Sequence, residues 1–365
     1  MKKQILYLFI ALVVVLPGCH STSKPAQQAK KLVKITNMAG REVEVPENIQ
    51  SVVCADMTAT YFMYALAPEL LSGRNTKPSG TESFVINERF ANLPVVGVIF
   101  FGKSTFNIEA AKNLNPDVLL CPLFKHTTAE YIADYESFGA KMGVPVVMVA
   151  LDLEKLPEAY RFMGKLVHNE EKSAELASYI QETLDLAASV RKQIRDTVSV
   201  YIAEGPRGLK TIPDGSTHSE VVKIAGLKNC AKVDEAYGFK DMSISFEQIL
   251  SWKPDYILIN ERVNGEINPN KITELLNDKT WQSLGAVKNN KILIVPTVPF
   301  NWIGRPPGIN RLIGIRWLVS SLYPDLAPLD MEKEVARFFS LFYHIEPSAE
   351  KMKEILAQTH YRPIP

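Results

Sequence analysis

The sequence predicts an α/β protein of two lobes, each built on a mostly parallel sheet, joined by a single long helix. Three observations support this prediction: a long helical stretch near the middle of the chain, short apolar runs that alternate with helical patterns on both sides of it, and one sequence unit that occurs twice. Strands that alternate with helices form parallel sheets, because each crossover helix returns the chain to the same edge. A chain of 365 residues also exceeds what one hydrophobic core usually holds.

The helical stretch runs from Asn169 to about Arg195 and contains neither Gly nor Pro. Asn169 is suited to cap the N-terminus, and Glu170 and Glu171 follow in the first turn, where negative charge is favourable. Apolar residues recur at a spacing of three to four: Ala174, Ala177, Ile180, Leu184, Ala187 and Ile194. Such a helix would span ~40 Å. We therefore expect residues 169–196 to be a linking helix with a cleft between the lobes that it joins.

Residues 32–168 are expected to form the N-terminal lobe. It should open with a β-hairpin of residues 32–35 and 43–45, closed by Pro46. The remaining apolar and amphipathic runs predict strands at 51–55, near 71, 95–96, 118–121 and 146–149, and helices at 58–66, 108–114 and 128–142.

Residues 197–365 repeat this alternation and are expected to form the C-terminal lobe. The predicted strands are 198–202, 256–259 and 292–295, and the predicted helices are 220–225, 246–252, 309–322 and 331–341.

One sequence unit occurs once on each side of the linking helix. It consists of a glutamate, six residues, Pro-Asp and an apolar strand, and it begins at Glu109 and at Glu247. Proline disfavours helical backbone at the residue before it, so both units predict a helix that stops just ahead of a buried strand. The repeat indicates that the lobes are related by pseudo-symmetry.

The N-terminus predicts export. Lys2 and Lys3 precede an apolar run at 5–16 that is too short to span a bilayer, so residues 1–18 are interpreted as a signal peptide. Small residues before Cys19 resemble the lipobox of bacterial lipoproteins, which implies a diacylated Cys19 as the mature N-terminus. Residues 19–31 would then be a polar tether. The alternative is an ordinary secreted protein in which Cys19 has no special role.

Charge and cysteine content narrow the functional classes. Without residues 1–18 the chain has 39 basic and 40 acidic residues, which does not favour nucleic acid as a partner. Apart from Cys19 the cysteines are Cys54, Cys121 and Cys230. An odd number without paired spacing is not a disulfide framework, so we expect buried thiols.

These features together resemble the substrate-binding proteins of ABC importers for iron–siderophore, haem and cobalamin, in which two Rossmann-like lobes share one long helix. The most specific segments are 39–46, the repeated unit, 215–220 with 225–229, and 299–307. The resemblance implies an extracytoplasmic, lipid-anchored monomer. It would capture a metal chelate, first of all an Fe(III) chelate such as an iron–siderophore complex, or haem or cobalamin. It would then deliver the chelate to a permease and its ATPase subunit.

The resemblance also implies that Glu109 and Glu247 dock onto arginines of the permease. The alternative is that both are solvated carboxylates that favour the dipole at a helix N-terminus.

Ligand should bind where loops follow the carboxyl ends of the strands. The candidate ligand-binding residues in these loops are Arg305, Trp302, His218, His126, Phe101, Lys103, Arg74, Arg207 and Arg262. Aromatic rings supply contact area, and Arg binds carboxylates or phenolates in a bidentate manner, so the set suits a large anionic chelate. The alternative is that several of these side chains only pack the edges of the lobes.

Two histidines, His126 and His218, fall in predicted cleft loops on opposite lobes. Two imidazoles are too few to enclose a bare metal ion, which wants about four ligands, so we expect no bare-ion site. A chelated metal with an open position could still accept either ring. For His218, a role at the start of a helix is an equal alternative.

The chain lacks a G-x-S-x-G and an H-E-x-x-H motif, and we expect a binding protein without intrinsic cofactor rather than an enzyme. Two alternatives remain. The same fold could bind a small oxyanion such as molybdate or tungstate, or a nickel chelate. More remotely, a cofactor-free extracytoplasmic enzyme could use His126 and Glu204.

Overall fold

The computed structural model describes residues 30–78, 80–100, 104–205, 207–232, 242–260 and 269–359. Cys19, Phe101, Lys103 and Arg262 lie outside these ranges, so the predictions made for them concern residues that the structure does not describe. Within the described residues, no helix is both long and apolar enough to cross a membrane.

The strands form two parallel sheets and two small antiparallel ribbons. They are β1 (Leu32–Thr36), β2 (Glu42–Pro46), β3 (Val52–Cys54), β4 (Val118–Leu123), β5 (Val146–Ala150), β6 (Ser199–Ala203), β7 (Lys210–Thr211), β8 (Lys228–Asn229), β9 (Met242–Ser243), β10 (Tyr256–Ile259) and β11 (Ile292–Ile294). The N-terminal sheet has the order β3-β4-β5 and the C-terminal sheet the order β11-β10-β6-β8, both parallel. The ribbons are β1-β2 and β7-β9.

The helices alternate with these strands and cover the faces of both sheets. They are α1 (Met57–Leu66), α2 (Glu88–Ala91), α3 (Ile108–Lys112), α4 (Ala129–Met142), α5 (Leu156–Leu166), α6 (Glu170–Gln193), α7 (Glu220–Ile224), α8 (Phe246–Trp252), α9 (Pro269–Asn277), α10 (Gly285–Lys288), α11 (Asn310–Leu322), α12 (Met331–Tyr343) and α13 (Ala349–Thr359).

The predicted class of fold is confirmed: two α/β lobes with parallel sheets joined by one long helix, α6. Over 24 residues α6 spans ~36 Å. One detail of the prediction is wrong, because Asn169 does not cap the helix with its side chain. Its amide instead donates to the Leu66 carbonyl at 2.9 Å and ties the start of α6 to the end of α1.

The two copies of the repeated unit fold alike. In each, a short helix (α3 or α8) is followed by a residue with positive φ directly before the proline, Asn115 or Lys253, and the aspartate after the proline caps the start of a neighbouring strand. Asp117 Oδ2 accepts from the Gln50 amide at 2.7 Å, and Asp255 Oδ2 accepts from the Ser199 amide at 2.8 Å. The Pro-Asp stop therefore fixes the strand order in both lobes.

Two expected strands are reduced to single bridges. The runs near 71 and at 95–96 form only the parallel bridges Val52↔Leu71 and Arg74↔Val95. Leu71 pairs with β3, and Val95 pairs with Arg74 of the segment that follows Leu71, so these runs extend the N-terminal sheet without adding a regular strand. Helices α2, α5, α9, α10 and α13 and the two-residue strands β7, β8 and β9 were not predicted.

A hydrophobic core runs from the N-terminal sheet through α6 into the C-terminal lobe. Helix α12 packs against both α1 and α6, so rings of the two lobes meet directly. Tyr179 on α6 contacts Phe342 at 5.4 Å between ring centroids, and Tyr160 of α5 contacts the same ring at 6.4 Å. The lobes are therefore joined by packing as well as by the linking helix.

All three cysteines in the described residues are free and buried. Cys54 on β3 packs on the same face of the sheet as Leu120, whereas Cys121 on β4 packs on the opposite face with Leu119. Burial raises the pKa of each of the three thiols. The expectation of buried thiols without a disulfide framework agrees with these positions.

Candidate functional site

The candidate site is the cleft where the carboxyl edges of the two parallel sheets face each other. In parallel α/β sheets, the loops that leave this edge carry the groups that contact ligand. From the N-terminal lobe, the loops after β3, β4 and β5 bring Asp56, His126 and Asp152. From the C-terminal lobe, the polar side chains at this edge are Glu204, His218, Asn260, Asn301 and Arg305.

Three of the C-terminal side chains form one buried network. The Asn260 amide donates to Glu204 Oε1, and the Asn301 amide donates to Asn260 Oδ1. Arg305 joins this network, because its Nη2 lies 3.5 Å from Glu204 Oε2 while about a third of its side chain (32%) stays exposed. A guanidinium in a cleft is suited to bind an anion through charge-assisted, bidentate hydrogen bonds.

His218 lies beside Arg305 and is almost fully buried. Its Nδ1 is 2.7 Å from the Gly304 carbonyl oxygen, and because a carbonyl can only accept, Nδ1 carries the proton. Burial, with Arg305 nearby as a further cause, lowers the pKa of His218 to about 3. The ring is thus neutral at physiological pH, and Nε2 has the chemistry of an acceptor or a metal ligand.

His126 contacts the opposite lobe directly. Its Nε2 donates to the Gly215 carbonyl at 2.8 Å, three residues before His218. Any metal ligation by His126 in this arrangement would have to use Nδ1. Among the described residues, no group of three or more His, Cys, Asp or Glu side chains is arranged to hold a metal ion.

Asp56 is the polar side chain at the carboxyl end of β3. It caps α1 by accepting from the Ala59 amide at 2.9 Å, and burial raises the pKa of its carboxyl to about 6. The sequence already places Asp56 in a loop that follows a strand, among the residues expected to line the cleft.

Trp302 was predicted to contact ligand, and this prediction is wrong for the arrangement seen. Its side chain is fully buried, its indole nitrogen donates to the Val298 carbonyl at 2.8 Å, and its ring lies against Trp317. Helix α11 can approach this closely because residue 314 is glycine, where a Cβ would lie 1.7 Å from the Trp302 carbonyl oxygen. Trp302 therefore supports the segment that presents Arg305.

Arg74 was also predicted to contact ligand, and it is structural instead. It is 2% exposed, forms a 2.5 Å ion pair with Glu82, and donates from Nε to the Thr76 carbonyl at 2.6 Å. Its guanidinium also stacks over the Phe90 ring, 4.7 Å from the centroid. These contacts hold the chain between the bridges at Leu71 and Val95 to the rest of the lobe.

Arg207 is exposed and stays a prediction. It lines a cavity with Glu204, Lys210 and Ser243, and a second cavity of about 310 Å³ with Phe246 and Trp281. The first of these cavities connects Arg207 to the carboxylate that pairs with Arg305.

Residues 97–104 have a G-x-x-x-x-G-K-S spacing, although no phosphate loop was expected from the sequence. Phosphate-binding loops share this spacing, but in them the Lys and Ser begin a helix. Here the Thr105 amide and the Ser104 hydroxyl donate to the Val98 carbonyl, at 2.9 and 3.1 Å, and α3 begins only at Ile108. The structural context is therefore not that of a phosphate-binding strand–loop–helix.

Glu109 and Glu247 are exposed, each in the first turn of its helix. Helices α3 and α8 run back toward the amino ends of the strands that follow, so their first turns lie near the cleft edge of each sheet. The backbone amide of Glu247 itself, and after it the Ser245 hydroxyl, lower the pKa of the Glu247 carboxyl. Each lobe thus presents one solvated carboxylate on the outer side of the cleft.

Two α/β lobes on one helix, with polar side chains gathered where their sheets face each other, define a bilobal binding protein that holds ligand between its lobes. The family model described as periplasmic binding protein matches residues 99–299, more than half of the chain. The chain belongs to this family, which acts outside the cytoplasm, and the class expected from the sequence is confirmed.

Several known proteins are similar over most of their length. Molybdate-binding protein MolA of Haemophilus influenzae is 24% identical over 337 residues, covering 85% of this chain and 90% of that protein. The structure of MolA bound to molybdate has a TM-score of 0.67 at 21% identity, over 87% of this chain and 99% of that chain.

An ABC transporter solute binding protein from Sulfurospirillum deleyianum has a TM-score of 0.75 at 29% identity, over 88% of this chain and 98% of that one. Helicobacter pylori CeuE with Ni-His has a TM-score of 0.64 at 14% identity, over 89% of this chain and 99% of that one. At these identities, the similarity of CeuE and MolA to this chain shows a shared fold. The two structures contain different ligands, molybdate in MolA and Ni-His in CeuE.

Proposed function

We propose that this protein is the substrate-binding component of an ABC importer and that its ligand is a small metal oxyanion of the molybdate and tungstate class. The observation that carries the choice of a small ligand is direct contact between the lobes across the cleft. His126 reaches the Gly215 carbonyl at 2.8 Å, and Thr81 Oγ1 donates to the Pro299 carbonyl at 3.0 Å. The Tyr61 and Phe300 rings also meet, with centroids 4.7 Å apart.

These contacts limit the width of the cleft. A continuous linking helix resists hinging. The separation of the lobes in this structure should therefore be close to the separation that an arriving ligand encounters. A small tetrahedral anion can occupy such a cleft, whereas a siderophore would need the lobes further apart. The similarity to a molybdate-binding protein over 85% of the chain supports the same choice.

Arg305 is the group best suited to bind the anion. It is partly exposed at the cleft, and its 3.5 Å contact with Glu204 is longer than a hydrogen bond. An oxyanion in the cleft would be bound by the guanidinium of Arg305, while Glu204 keeps its bond to Asn260. Lys103, one of the candidate ligand-binding residues in the sequence, is a second candidate cation.

A metal chelate with an open coordination position is the second candidate ligand, and His218 favours it. The Nδ1 proton of His218 is donated to the Gly304 carbonyl, and a hydrogen bond of this kind usually orients a metal-binding histidine. An iron–siderophore, haem, cobalamin or nickel–histidine complex would meet this requirement only where its remaining bulk fits outside the interlobe contacts.

Calorimetric titration of the purified protein can decide between these ligands. The titrants are molybdate, tungstate, sulfate and phosphate on one side, and nickel–histidine, a ferric siderophore, haem and cobalamin on the other. We expect binding of molybdate or tungstate with discrimination against sulfate and phosphate. Tight binding of a chelate without any oxyanion binding would overturn the proposal.

Variants test the residues. Arg305→Ala should weaken oxyanion binding by ~30- to 150-fold through loss of a charge-assisted contact, and Arg305→Lys should recover part of it. Arg337→Ala is the matched control, because Arg337 pairs with Glu182 on the far side of α6. His218→Asn keeps a donor for the Gly304 carbonyl and deletes Nε2, so it should abolish chelate binding and spare oxyanion binding.

We also propose that the chain is exported and anchored through Cys19, and that it acts as a monomer with a permease and its ATPase subunit. If Cys19 is acylated, Cys19→Ala should move the protein from the membrane fraction to the soluble fraction, because acyl chains are then its anchor. Fractionation followed by immunoblotting measures this, and a wild type that is already soluble would contradict the anchor. Turnover of a substrate by the purified protein alone would favour the enzyme alternative.

A further inference from the structure

Two segments of the C-terminal lobe carry the site residues His218 and Arg305. The segment with His218 contacts the N-terminal lobe at both of its ends. At its start, the Gly215 carbonyl accepts from His126 at 2.8 Å. At its end, Glu220 Oε1 accepts from the Leu153 amide, just beyond β5, at 3.1 Å.

The segment with Arg305 is held in the same way. At its start, the Pro299 carbonyl accepts from Thr81 at 3.0 Å. Beyond its end, Arg311 Nη2 donates to the Leu151 carbonyl at 2.8 Å. Each site-bearing segment of one lobe is therefore fixed at two points by the other lobe.

The contacts at Leu151 and Leu153 converge on one buried ion pair. Arg311 is fully buried, its Nη1 lies 2.5 Å from Glu220 Oε2, and its Nε donates to the Gly308 carbonyl at 3.2 Å. Asp152 of the N-terminal lobe adds its negative charge to the field around both groups.

A buried ion pair is a weak source of stability, because desolvation of two charges offsets most of their attraction. A role in positioning the two site segments explains this pair better than a contribution to stability. Glu220 follows His218 by two residues, and Arg311 binds the backbone of the segment that carries Arg305. The pair joins the two site segments to each other and to the end of β5.

We infer that Glu220 and Arg311 are positioning residues that hold His218 and Arg305 at a fixed distance from the N-terminal wall of the cleft, and so set which size of ligand the cleft admits. This inference rests on the proposed function for the identity of the ligand. Its geometric part, a fixed separation of the lobes, does not depend on any ligand.

The matched control lies on the same helix. Arg316 is also a buried arginine of α11, but its partners are Glu334 on α12 at 2.9 Å and Thr183 on α6 at 2.8 Å, away from the cleft edge. Replacing Arg311 leaves Glu220 without its charged partner, and replacing Arg316 does the same to the partly buried Glu334. Both Arg311→Met and Arg316→Met should therefore lower the melting temperature, and only Arg311→Met should alter the site.

The experiment measures three quantities on the wild type, Arg311→Met, Glu220→Gln, the double variant and Arg316→Met. They are the melting temperature, the affinity for molybdate and for any other titrant that binds the wild type, and the distance between spin labels on cysteines introduced at Lys141 and Lys288. These two positions are exposed, one on each lobe.

We expect Arg311→Met to weaken binding roughly tenfold or more and to broaden the distance distribution, whereas Arg316→Met should change neither. The double variant, Arg311→Met with Glu220→Gln, should be more stable than Arg311→Met, because it no longer contains an unpaired carboxylate. Its affinity should stay low, because the contacts that position the two site segments are still missing. Glu220→Gln keeps an acceptor for the Leu153 amide and should have an intermediate effect.

Equal effects of Arg311→Met and Arg316→Met on affinity and on distance would overturn the inference. If Arg311→Met does not fold, Arg311→Lys and Glu220→Gln decide it, because both retain a polar side chain at the position. If no titrant binds the wild type, the proposed ligand fails, and the label distances measured without ligand still decide whether the ion pair fixes the lobes.

Discussion

His218 is an imidazole that the fold keeps neutral, and this has a definite consequence for stability. Its pKa falls to about 3 in the folded protein, against about 6.5 for an exposed histidine. Between these two values the unfolded chain binds a proton that the folded protein does not. Acid therefore favours unfolding throughout this range, while above pH 6.5 the residue is neutral in both states.

The first prediction follows from this difference. As pH falls from 6.5 toward 3, His218 should lower the free energy of unfolding by about 1.4 kcal/mol per pH unit. Urea unfolding at pH 7.5, 6 and 5 should show a smaller loss for His218→Asn than for the wild type. His344, whose pKa burial also lowers, contributes equally to both proteins.

His168→Asn serves as the control for the loss of an imidazole, because His168 is exposed and its ring contacts the Glu47 carbonyl. An identical pH dependence for the wild type and His218→Asn would show that His218 is not kept neutral. Ionisation of the His218 ring should likewise make no contribution to the pH dependence of ligand affinity between pH 8 and 5.

Single residues also show where sequence reasoning ends. The sequence identifies the loops that carry Arg74, Trp302 and Arg305, because loop position follows from strand position. It does not reveal which side chain faces the cleft. Arg74 is turned inward by Glu82, which is eight residues away, and Trp302 is covered by α11, which approaches closely at Gly314. Neither contact follows from the local apolar pattern, because each depends on how the chain folds back between the two partners.

Among the elements, α3 and α8 show how much local sequence can predict. A glutamate in the first turn, a Pro-Asp stop and an apolar strand are all local signals, and both copies form as expected. The runs near 71 and 95 failed as strands because their pairing depends on neighbours far along the chain. Helix α5 was missed, although its packing on α6 is extensive.

Helices α3 and α8, which carry Glu109 and Glu247, lead to a prediction about docking. Reversing Glu109 and Glu247 to Arg should abolish uptake in cells and leave ligand affinity unchanged, because both carboxylates are solvated and would meet permease cations. Uptake of the radiolabelled ligand and calorimetry on the purified variant measure the two effects.

The control is charge reversal at Glu130 and Glu332, two exposed carboxylates in the first turns of α4 and α12. These changes should leave uptake unaffected. A loss of ligand affinity in the Glu109/Glu247 variant would place these residues in the ligand site instead.

At the scale of the whole molecule, α6 and the contacts between the lobes act together. The sequence predicted the linking helix and the two lobes, since both follow from periodicity. It did not predict that α12 would pack across α1 and α6 or that rings of both lobes would share one core. Such contacts need the tertiary arrangement, because no local pattern specifies which helix faces which.

We therefore expect little change of overall shape on ligand binding. Small-angle scattering with and without saturating ligand should give the same radius of gyration within error, in contrast to binding proteins whose lobes are hinged on strands. Arg316→Met, which leaves the cleft contacts intact, should behave like the wild type. A marked decrease in the radius on ligand binding would contradict a fixed separation of the lobes.

The positions of Cys54 and Cys121 bear on how the chain reaches its folded state. They lie on adjacent strands but on opposite faces of one sheet, so the folded protein has no place for a bond between them. An exported chain, however, emerges unfolded among oxidants, where all its thiols are reachable. A disulfide formed between Cys54 and Cys121 at that stage would be non-native and would have to be reduced before the sheet could form. Rapid folding of the N-terminal sheet, which buries both thiols, therefore protects them from oxidation.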